Sequence, residues 1–275
     1  MYKRVLFALD LEGVNNVVGE PYSGLAKGCD QWLVARTQAV LEINAAADAL
    51  FTNGVEKIGL WDNHGGGENV DPAALDTRIT LIQPNHLLPR MAFAKGEYDC
   101  ICFFGYHAME GTLGGVLAHT MNSSMVQYYK LNGHHIGELN MDAYIAASYG
   151  IPACFYVGGD IACAQAQRAV PGITTVITKY EHSRNEADFR DNEVLFKEIR
   201  DKIVVAVCSD IPAYPLTFPT MLEKSFKRTE DAARYYACLM DRGYAVAYPD
   251  DEILGKDAHT VVSVIHKIED LINCL

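Results

Sequence analysis

The apolar run at residues 5–9 ends in two acidic residues, Asp10 and Glu12, followed by Gly13. Such a run predicts a buried β-strand, in which residues i and i+2 project to the same face, so both carboxylates leave the strand together at its carboxyl end. Two acids this close repel each other unless a cation or a basic group neutralises them. Because several metal ions bind carboxylate oxygens, the pair indicates a metal site, although a helix N-terminus or a solvated acidic loop is the simpler interpretation.

Three later strand-like segments also end in polar side chains that can bind metals. The segments at residues 55–61, 98–104 and 151–157 lead into His64, His107 and Asp160. In open parallel α/β sheets, ligands bind in the crevice outside the carboxyl ends of the strands. The four strand ends therefore predict one shared crevice.

Length and cysteine usage indicate a self-sufficient core. A chain of 275 residues buries about 75% of its unfolded surface, so it needs no additional crosslinks. The eight cysteines lie mostly in apolar runs, as reduced and buried thiols do in cytosolic proteins, and no C-x2-C spacing occurs. A structural zinc knuckle is therefore not expected.

Charge and hydropathy exclude two classes of partner. The formal net charge is -12, and no cluster of Lys or Arg could follow a phosphate backbone, so nucleic acid is a poor partner. No segment approaches 18 apolar residues, and the apolar stretch before Asp10 is too short for a signal peptide. We expect a cytoplasmic protein that does not bind membranes.

Strand-like and helix-like segments alternate along the chain. Asp30 is the predicted N-cap of a helix that ends near Phe51, and its buried stripe is predicted from four apolar residues, Leu33, Val40, Leu41 and Ala47. An Asn-Gly pair at residues 132–133 predicts a hairpin between residues 126–131 and 134–136. Further helices are predicted at residues 88–93, 138–149, 160–169, 191–207, 229–240 and 257–272, and further strands at 78–82, 174–178, 220–226 and 244–248.

This order predicts an α/β fold class: a mixed, largely parallel sheet flanked by helices, with a smaller C-terminal α/β subdomain. The proline-bearing stretch at residues 212–219 is a candidate boundary. Residues 1–210 would then form the metal-binding catalytic domain, and residues 211–275 the smaller subdomain.

His64 is favoured as a functional residue by its position before three glycines, which leave backbone room for a close ligand. His-Gly-Gly-Gly also matches the oxyanion loop of lipase-like hydrolases. Those enzymes need a G-x-S-x-G nucleophile elbow, and the chain contains none.

Three more positions are candidates, and two neighbouring histidines are not. His107 lies just beyond its strand, and His119 lies in the glycine-bearing loop that follows, where it could serve as a general acid or base. Glu138 opens a predicted helix, where an acid favoured by the helix dipole and a metal ligand are equally good interpretations. His134 and His135 flank the hairpin turn and are expected on the surface.

Several blocks together resemble the DppA-type D-aminopeptidases, which form the M55 metallopeptidase family. In chain order these are Ala-Leu-Asp-Leu-Glu-Gly (8–13), Asn-His (63–64), Gly-Tyr-His-Ala (105–108), Gly-Val-Leu-Ala-His-Thr-Met (115–121) and Gly-Glu-Leu (137–139). Gly159, Asp160, Lys179, Ser183 and Arg184 also resemble family segments, without assigned roles, whereas the chain beyond about residue 210 is weakly diagnostic.

The resemblance implies two zinc ions per chain. Position by position, Asp10 would bridge both metals, Glu12 and His64 would complete one site, and His107 and Glu138 the other, with His119 at the catalytic position. Family members remove N-terminal D-residues from short peptides and assemble as rings that enclose their active sites. The resemblance therefore implies a ring-like homo-oligomer, for example a decamer.

Such ligands suit the implied chemistry. Two dications polarise a scissile carbonyl and lower the pKa of a bound water towards neutrality, so that hydroxide is available, and His119 would act as acid or base. Two departures from the family pattern would change the surroundings of the metals and the shape of the pocket. Ala8 stands where the family commonly has Ser, and the loop from His107 to His119 carries one extra residue, Glu110 or Gly111.

Three functions agree with the sequence. The first is a dinuclear zinc aminopeptidase or amidase that acts on short peptides or aminoacyl amides. The second is a metal-dependent phosphoester hydrolase with the same ligands, and the third a non-catalytic protein that binds amino acids or peptides, in which Asp10 and Glu12 hold an amine. Metal analysis separates the third function from the others.

Overall fold

The computed structural model describes residues 1–84 and 88–275. Along this part of the chain the elements are β1 (Arg4–Leu9), α1 (Asp30–Thr52), β2 (Lys57–Asp62), β3 (Ile79–Ile82), β4 (Cys100–Tyr106), β5 (Val126–Leu131), β6 (His134–Ile136), α2 (Glu138–Ser148), β7 (Ala153–Gly158), α3 (Asp160–Ala169), β8 (Thr174–Ile177), β9 (Lys179–Ser183), β10 (Glu186–Phe189), α4 (Asn192–Cys208), β11 (Thr220–Phe226), α5 (Thr229–Asp241), β12 (Val246–Ala247), β13 (Asp250–Asp251), β14 (Gly255–Lys256), β15 (Thr260–Ile265) and α6 (Ile268–Cys274).

A six-stranded parallel sheet in the order β3-β2-β1-β4-β7-β8 forms the centre of the fold. Strand β1 shows how its residues divide between two cores. Val5, Phe7 and Leu9 pack into the core that includes α1 and α4, while Leu6 and Ala8 pack into the core on the opposite face, with α2 and α3. The near-continuous apolar strands thus reflect burial on both faces, as the sequence predicts.

A second sheet, antiparallel and in the order β12-β15-β11-β5-β6, lies beyond α2 and shares the core on that face. The predicted α/β fold class, with a largely parallel sheet flanked by helices, is therefore confirmed. The hairpin β5–β6, from the middle of the chain, pairs with the C-terminal strands through β11. The division at residue 210 stays a prediction, since this sheet joins strands from both sides of it.

One predicted helix is wrong. Residues 257–272 contain the strand β15 and only the start of α6. The sequence Thr-Val-Val-Ser-Val-Ile is rich in β-branched residues, and it pairs along its whole length with β11. The spacing of its apolar residues is also compatible with a helix, but pairing with β11 stabilises the strand.

Three smaller predictions around helices also need correction. Cys29, not Asp30, is the N-cap of α1, because its sulfur accepts a hydrogen bond from the amide of Trp32. Leu33 and Leu41 are 48% and 44% exposed, since α1 buries a face made largely of alanines, which allows close packing against the sheet and α4. The short helix predicted at residues 88–93 is a single 3-10 turn, Ala92–Ala94.

The hairpin β9–β10 has no counterpart in the predicted elements. Its polar sequence lacks the apolar alternation that indicates a strand.

None of the described helices is both long and apolar enough to cross a membrane.

Candidate metal centre

The central sheet brings the predicted ligands to one edge. Asp10 directly follows β1, His64 lies two residues after β2, and His107 directly follows β4. These three strands are neighbours in the sheet, so their carboxyl ends meet. Glu138, the first residue of α2, approaches the same place from the side.

Two groups of donor atoms share Asp10. In the first, Nδ1 of His64 lies 2.9 Å from Oδ1 of Asp10 and 3.2 Å from Oε2 of Glu12. In the second, Nε2 of His107 lies 3.5 Å from Oδ2 of Asp10 and 3.4 Å from Oε1 of Glu138. Within each group the donor atoms lie within 4.8 Å of one another, which is the spacing that a metal ion can bridge. All five predicted ligands therefore converge.

His107 presents an unsatisfied nitrogen to this site. Its Nδ1 lies 2.9 Å from the carbonyl oxygen of Ala108, so the proton on Nδ1 donates there and Nε2 faces the acids. That Nε2 is buried and makes no hydrogen bond with any residue the structure describes. A buried nitrogen without a partner is costly, and a metal ion would satisfy it.

The electrostatics of the site favour bound cations. Burial and the nearby Glu12 raise the pKa of Asp10 to about 7. Despite their burial, the pKa of His64 is raised to about 12 by Glu12 and Asp10, and that of His107 to about 10 by Glu138. The carboxylates thus stabilise positive charge at two positions, which is what a pair of dications would supply.

The donor set fits zinc. It combines imidazole nitrogens with carboxylate oxygens, it contains no thiolate, and each group supplies three protein ligands, which leaves room for water or substrate. The same donors also suit manganese and cobalt.

His119 lies beside the second donor group and differs from the other histidines. Its Nε2 is 3.7 Å from Oε1 of Glu138, and its ring stacks on that of His107 with centroids 3.9 Å apart. Burial and the positive charge on His107 lower the pKa of His119. A neutral imidazole at this position can accept a proton. Its Nδ1 lies 2.9 Å from the carbonyl oxygen of Leu117, which fixes the ring with Nε2 towards the site.

The glycine after Glu12 is required by a close backbone approach. The amide of Gly13 donates to the carbonyl of Gly105, 2.6 Å away. A Cβ atom at residue 13 would lie 2.1 Å from the carbonyl oxygen of Tyr106, and Gly105 itself has a φ of +69°. The Asp-Leu-Glu-Gly turn can therefore press against the end of β4 only with glycine at both positions.

A buried lysine holds the turn from the other side. Nζ of Lys179, on β9, donates to the carbonyl oxygens of Glu12, Val14 and Val17 at 2.5 to 3.0 Å. The side chain is fully buried, and burial lowers its pKa to about 8. The neighbouring Thr178 hydroxyl donates to the carbonyl oxygen of Gly13. The sequence analysis noted Lys179 only as part of a segment that resembles the family, without an assigned role. These contacts indicate that it positions Glu12.

Glu42 supports the same turn from α1. Its Oε1 accepts hydrogen bonds from the amide of Asn15 and the side chain of Gln38, at 2.9 and 3.1 Å. Its Oε2 is buried without a hydrogen-bond partner among the described residues. Burial raises the pKa of Glu42 to about 7, because the ionised carboxylate is poorly solvated there.

This raised pKa predicts a measurable pH dependence. Between the usual value of 4.5 and about 7, the folded protein keeps a proton on Glu42 that the unfolded chain loses, so the free energy of unfolding falls as pH rises through this range. Glu42→Gln should therefore be more stable than the wild type at pH 8, by about 1 to 3 kcal/mol, and equally stable at pH 4.5. Denaturant unfolding at both pH values measures the difference, and a variant less stable at pH 8 would contradict the assignment.

A buried network under the cleft was not predicted. Arg90 pairs with Asp142 through two hydrogen bonds of 2.6 and 2.9 Å, and Tyr106 donates to the same carboxylate at 2.7 Å. Asn63, next to His64, donates to the Tyr106 hydroxyl. One signal was available: Asp142 follows Glu138 by four residues on α2, so the two acids share a helix face.

Asp160 does not belong to the site, although its position after a strand-like segment predicted that it would lie at the same crevice. Its carboxylate accepts the amide of Glu181 at 2.8 Å, and it is absent from the donor groups found among residues 1–84 and 88–275. Strand β7 lies one position further from β1 than β4 does, which places its end away from the convergent ligands. His134 and His135 are exposed, as expected.

Four of the five donors, all except His107, line a cleft of about 840 Å³, within the usual size of small-molecule sites. Its apolar wall includes Trp61, Met91 and Phe93, and its polar side includes His119 and Arg184. The cleft can therefore accept a small ligand that has both apolar and charged groups.

Comparisons with known proteins found a family and relatives similar to this chain. The model of the family described as Peptidase_M55, D-aminopeptidase, matches residues 3–264. A D-aminopeptidase of Bacillus subtilis (strain 168) is 24% identical over 219 residues, which cover 78% of each protein. A solved structure described as the Zn-dependent D-aminopeptidase DppA from Bacillus subtilis, a self-compartmentalizing protease, shares the fold with a TM-score of 0.83 at 21% identity, over 98% of this chain and 94% of that one. Because the family model spans nearly the whole sequence, this chain belongs to the M55 family of D-aminopeptidases.

Proposed function

We propose that this protein is a dinuclear zinc aminopeptidase that removes N-terminal D-residues from short peptides or aminoacyl amides. One observation carries the proposal: two groups of metal donors share Asp10, lie beside His119 and border one cleft. Asp10 would hold both metals, together with Glu12 and His64 for one and with His107 and Glu138 for the other. The zinc dependence of the related Bacillus subtilis enzyme supports the choice of metal.

Two zinc ions at these donors would polarise the scissile carbonyl and increase the acidity of water. The protein residues supply the rest. Nε2 of His119, kept unprotonated by burial, accepts a proton from the attacking water and returns it to the leaving amine. The hydrogen bond from Nδ1 to the carbonyl of Leu117 keeps the ring in the required tautomer.

The self-compartmentalizing character of the related enzyme supports assembly of this chain into a ring-like homo-oligomer, for example a decamer. Such a ring would restrict access to the clefts and so favour short peptides.

Substrate class is tested with the zinc-loaded protein on D- and L-aminoacyl p-nitroanilides and on p-nitrophenyl phosphate. The proposal predicts turnover of the D-aminoacyl compounds, inhibited by chelation and restored by zinc. Turnover of the phosphate alone would favour a phosphoester hydrolase. If no compound is turned over and the protein carries less than one zinc per chain, it is a binding protein.

His119→Ala separates catalysis from metal binding. Because His119 transfers protons without completing either donor group that contains Asp10, the variant should keep its zinc and lose about 10² to 10⁴ of kcat. Elemental analysis and initial rates measure the two effects. His134→Ala, on the exposed hairpin, is the matched control and should retain full activity. A fully active His119→Ala variant would remove the proposed role.

A further inference from the structure

Arg184 lies in the turn between β9 and β10, directly against the loop that carries His119. Its carbonyl oxygen accepts the amide of Leu117 at 2.9 Å, and its Nη1 donates to the carbonyl oxygen of Ala118, also at 2.9 Å. Ala118 immediately precedes His119, and the Arg184 side chain lines the cleft. Its guanidinium is therefore held within one residue of the proposed acid–base group.

Two arginines, Arg90 and Arg184, line the cleft, and they differ in whether an acid pairs with them. Arg90 is engaged by both oxygens of the buried Asp142. Arg184 forms no salt bridge with the acids in the described part of the chain, and its side-chain hydrogen bond to Ala118 leaves most of its five N–H donors open. An exposed guanidinium at the edge of a cleft, in a protein of net charge -12, is an attractive position for an anionic group of a ligand.

We propose that Arg184 is a specificity-determining residue, which binds the free C-terminal carboxylate of a dipeptide substrate. The inference rests on the proposed function. His119 protonates the leaving amine, so the leaving residue lies against His119. In a dipeptide, the carboxylate is attached to the same Cα as that amine, which places it next to the Ala118–Arg184 contact. The planar guanidinium can hold a carboxylate through two parallel hydrogen bonds.

Two matched substrates test this. D-alanyl-D-alanine carries the carboxylate, and D-alanyl-D-alaninamide replaces it with a neutral amide. For the wild type we expect kcat/KM to be at least about 10-fold higher for the free acid, and Arg184→Gln should reduce this preference to about one, mainly through a higher KM for the acid. Arg184→Lys, which retains a point charge but not the planar fork, should give an intermediate ratio.

Arg200→Gln, an exposed substitution on α4 that removes the same charge, is the control and should keep the wild-type ratio. Arg184→Gln should also keep the zinc content of the wild type. If Arg184 only supports the His119 loop, its loss lowers kcat for both substrates equally, and that result overturns the proposal. Equal kcat/KM for acid and amide in the wild type overturns it as well, while leaving the aminopeptidase function intact. If the wild type hydrolyses neither substrate, the proposed function itself fails.

Discussion

Asp10→Ala should lose both zinc ions, whereas His64→Ala should lose one. The reason is geometric, because Asp10 contributes an oxygen to each donor group and His64 contributes to only one. Loss of both metals removes several kcal/mol of transition-state stabilisation, so activity should fall by about 10³-fold or more. Zinc should also no longer raise the Tm of the Asp10→Ala variant, since binding stabilises only a protein that can bind.

Elemental analysis and thermal unfolding with and without zinc provide these measurements. Asp231→Asn is the matched control, because Asp231 is also buried but lies on α5, where it pairs with Arg228. It should keep its zinc and its zinc-dependent rise in Tm. A variant at Asp10 that retains one zinc would show that the two sites do not share this residue.

Lys179→Met should destabilise the protein and weaken zinc binding together. The substitution leaves the carbonyl oxygens of Glu12, Val14 and Val17 buried without their donor. An unsatisfied buried polar group costs about 1 to 3 kcal/mol, so the free energy of unfolding should fall by about 3 kcal/mol or more. Because the same contacts hold the turn that carries Glu12, the affinity for zinc should fall as well, by about 10- to 100-fold.

Lys224→Met distinguishes this effect from the loss of any buried lysine. Lys224 is nearly as buried, but it lies in the second sheet and its Nζ donates to one backbone oxygen, that of Leu275. Its replacement should cost less stability and leave zinc affinity unchanged. Denaturant unfolding and competition with a zinc chelator measure both quantities. Equal zinc affinities in the two variants would show that Lys179 is structural only.

The predictable parts of the fold depended on local patterns. The apolar run of β1 is buried on both faces, and the Asn-Gly pair between β5 and β6 forms the expected hairpin. The convergence of Asp10, His64 and His107 followed from strand ends alone, because parallel neighbours share one edge.

Other parts depended on contacts that local patterns do not encode. Strand β15 is stabilised by its pairing with β11, about 40 residues earlier. The spacing of its apolar residues predicted a helix, because the local sequence does not reveal this partner. The support of the metal turn by Lys179 and Glu42 depends on contacts between segments far apart in sequence, since Lys179 contacts residues 162 to 167 positions away. A buried lysine cannot be recognised from a polar strand sequence without knowledge of its partners.

The zinc content of the wild-type protein is the direct test of a dinuclear site. Protein loaded with zinc and then dialysed against metal-free buffer is analysed for zinc and for protein concentration. We expect two zinc ions per chain, held by Asp10, Glu12, His64, His107 and Glu138. Less than one zinc per chain would contradict it.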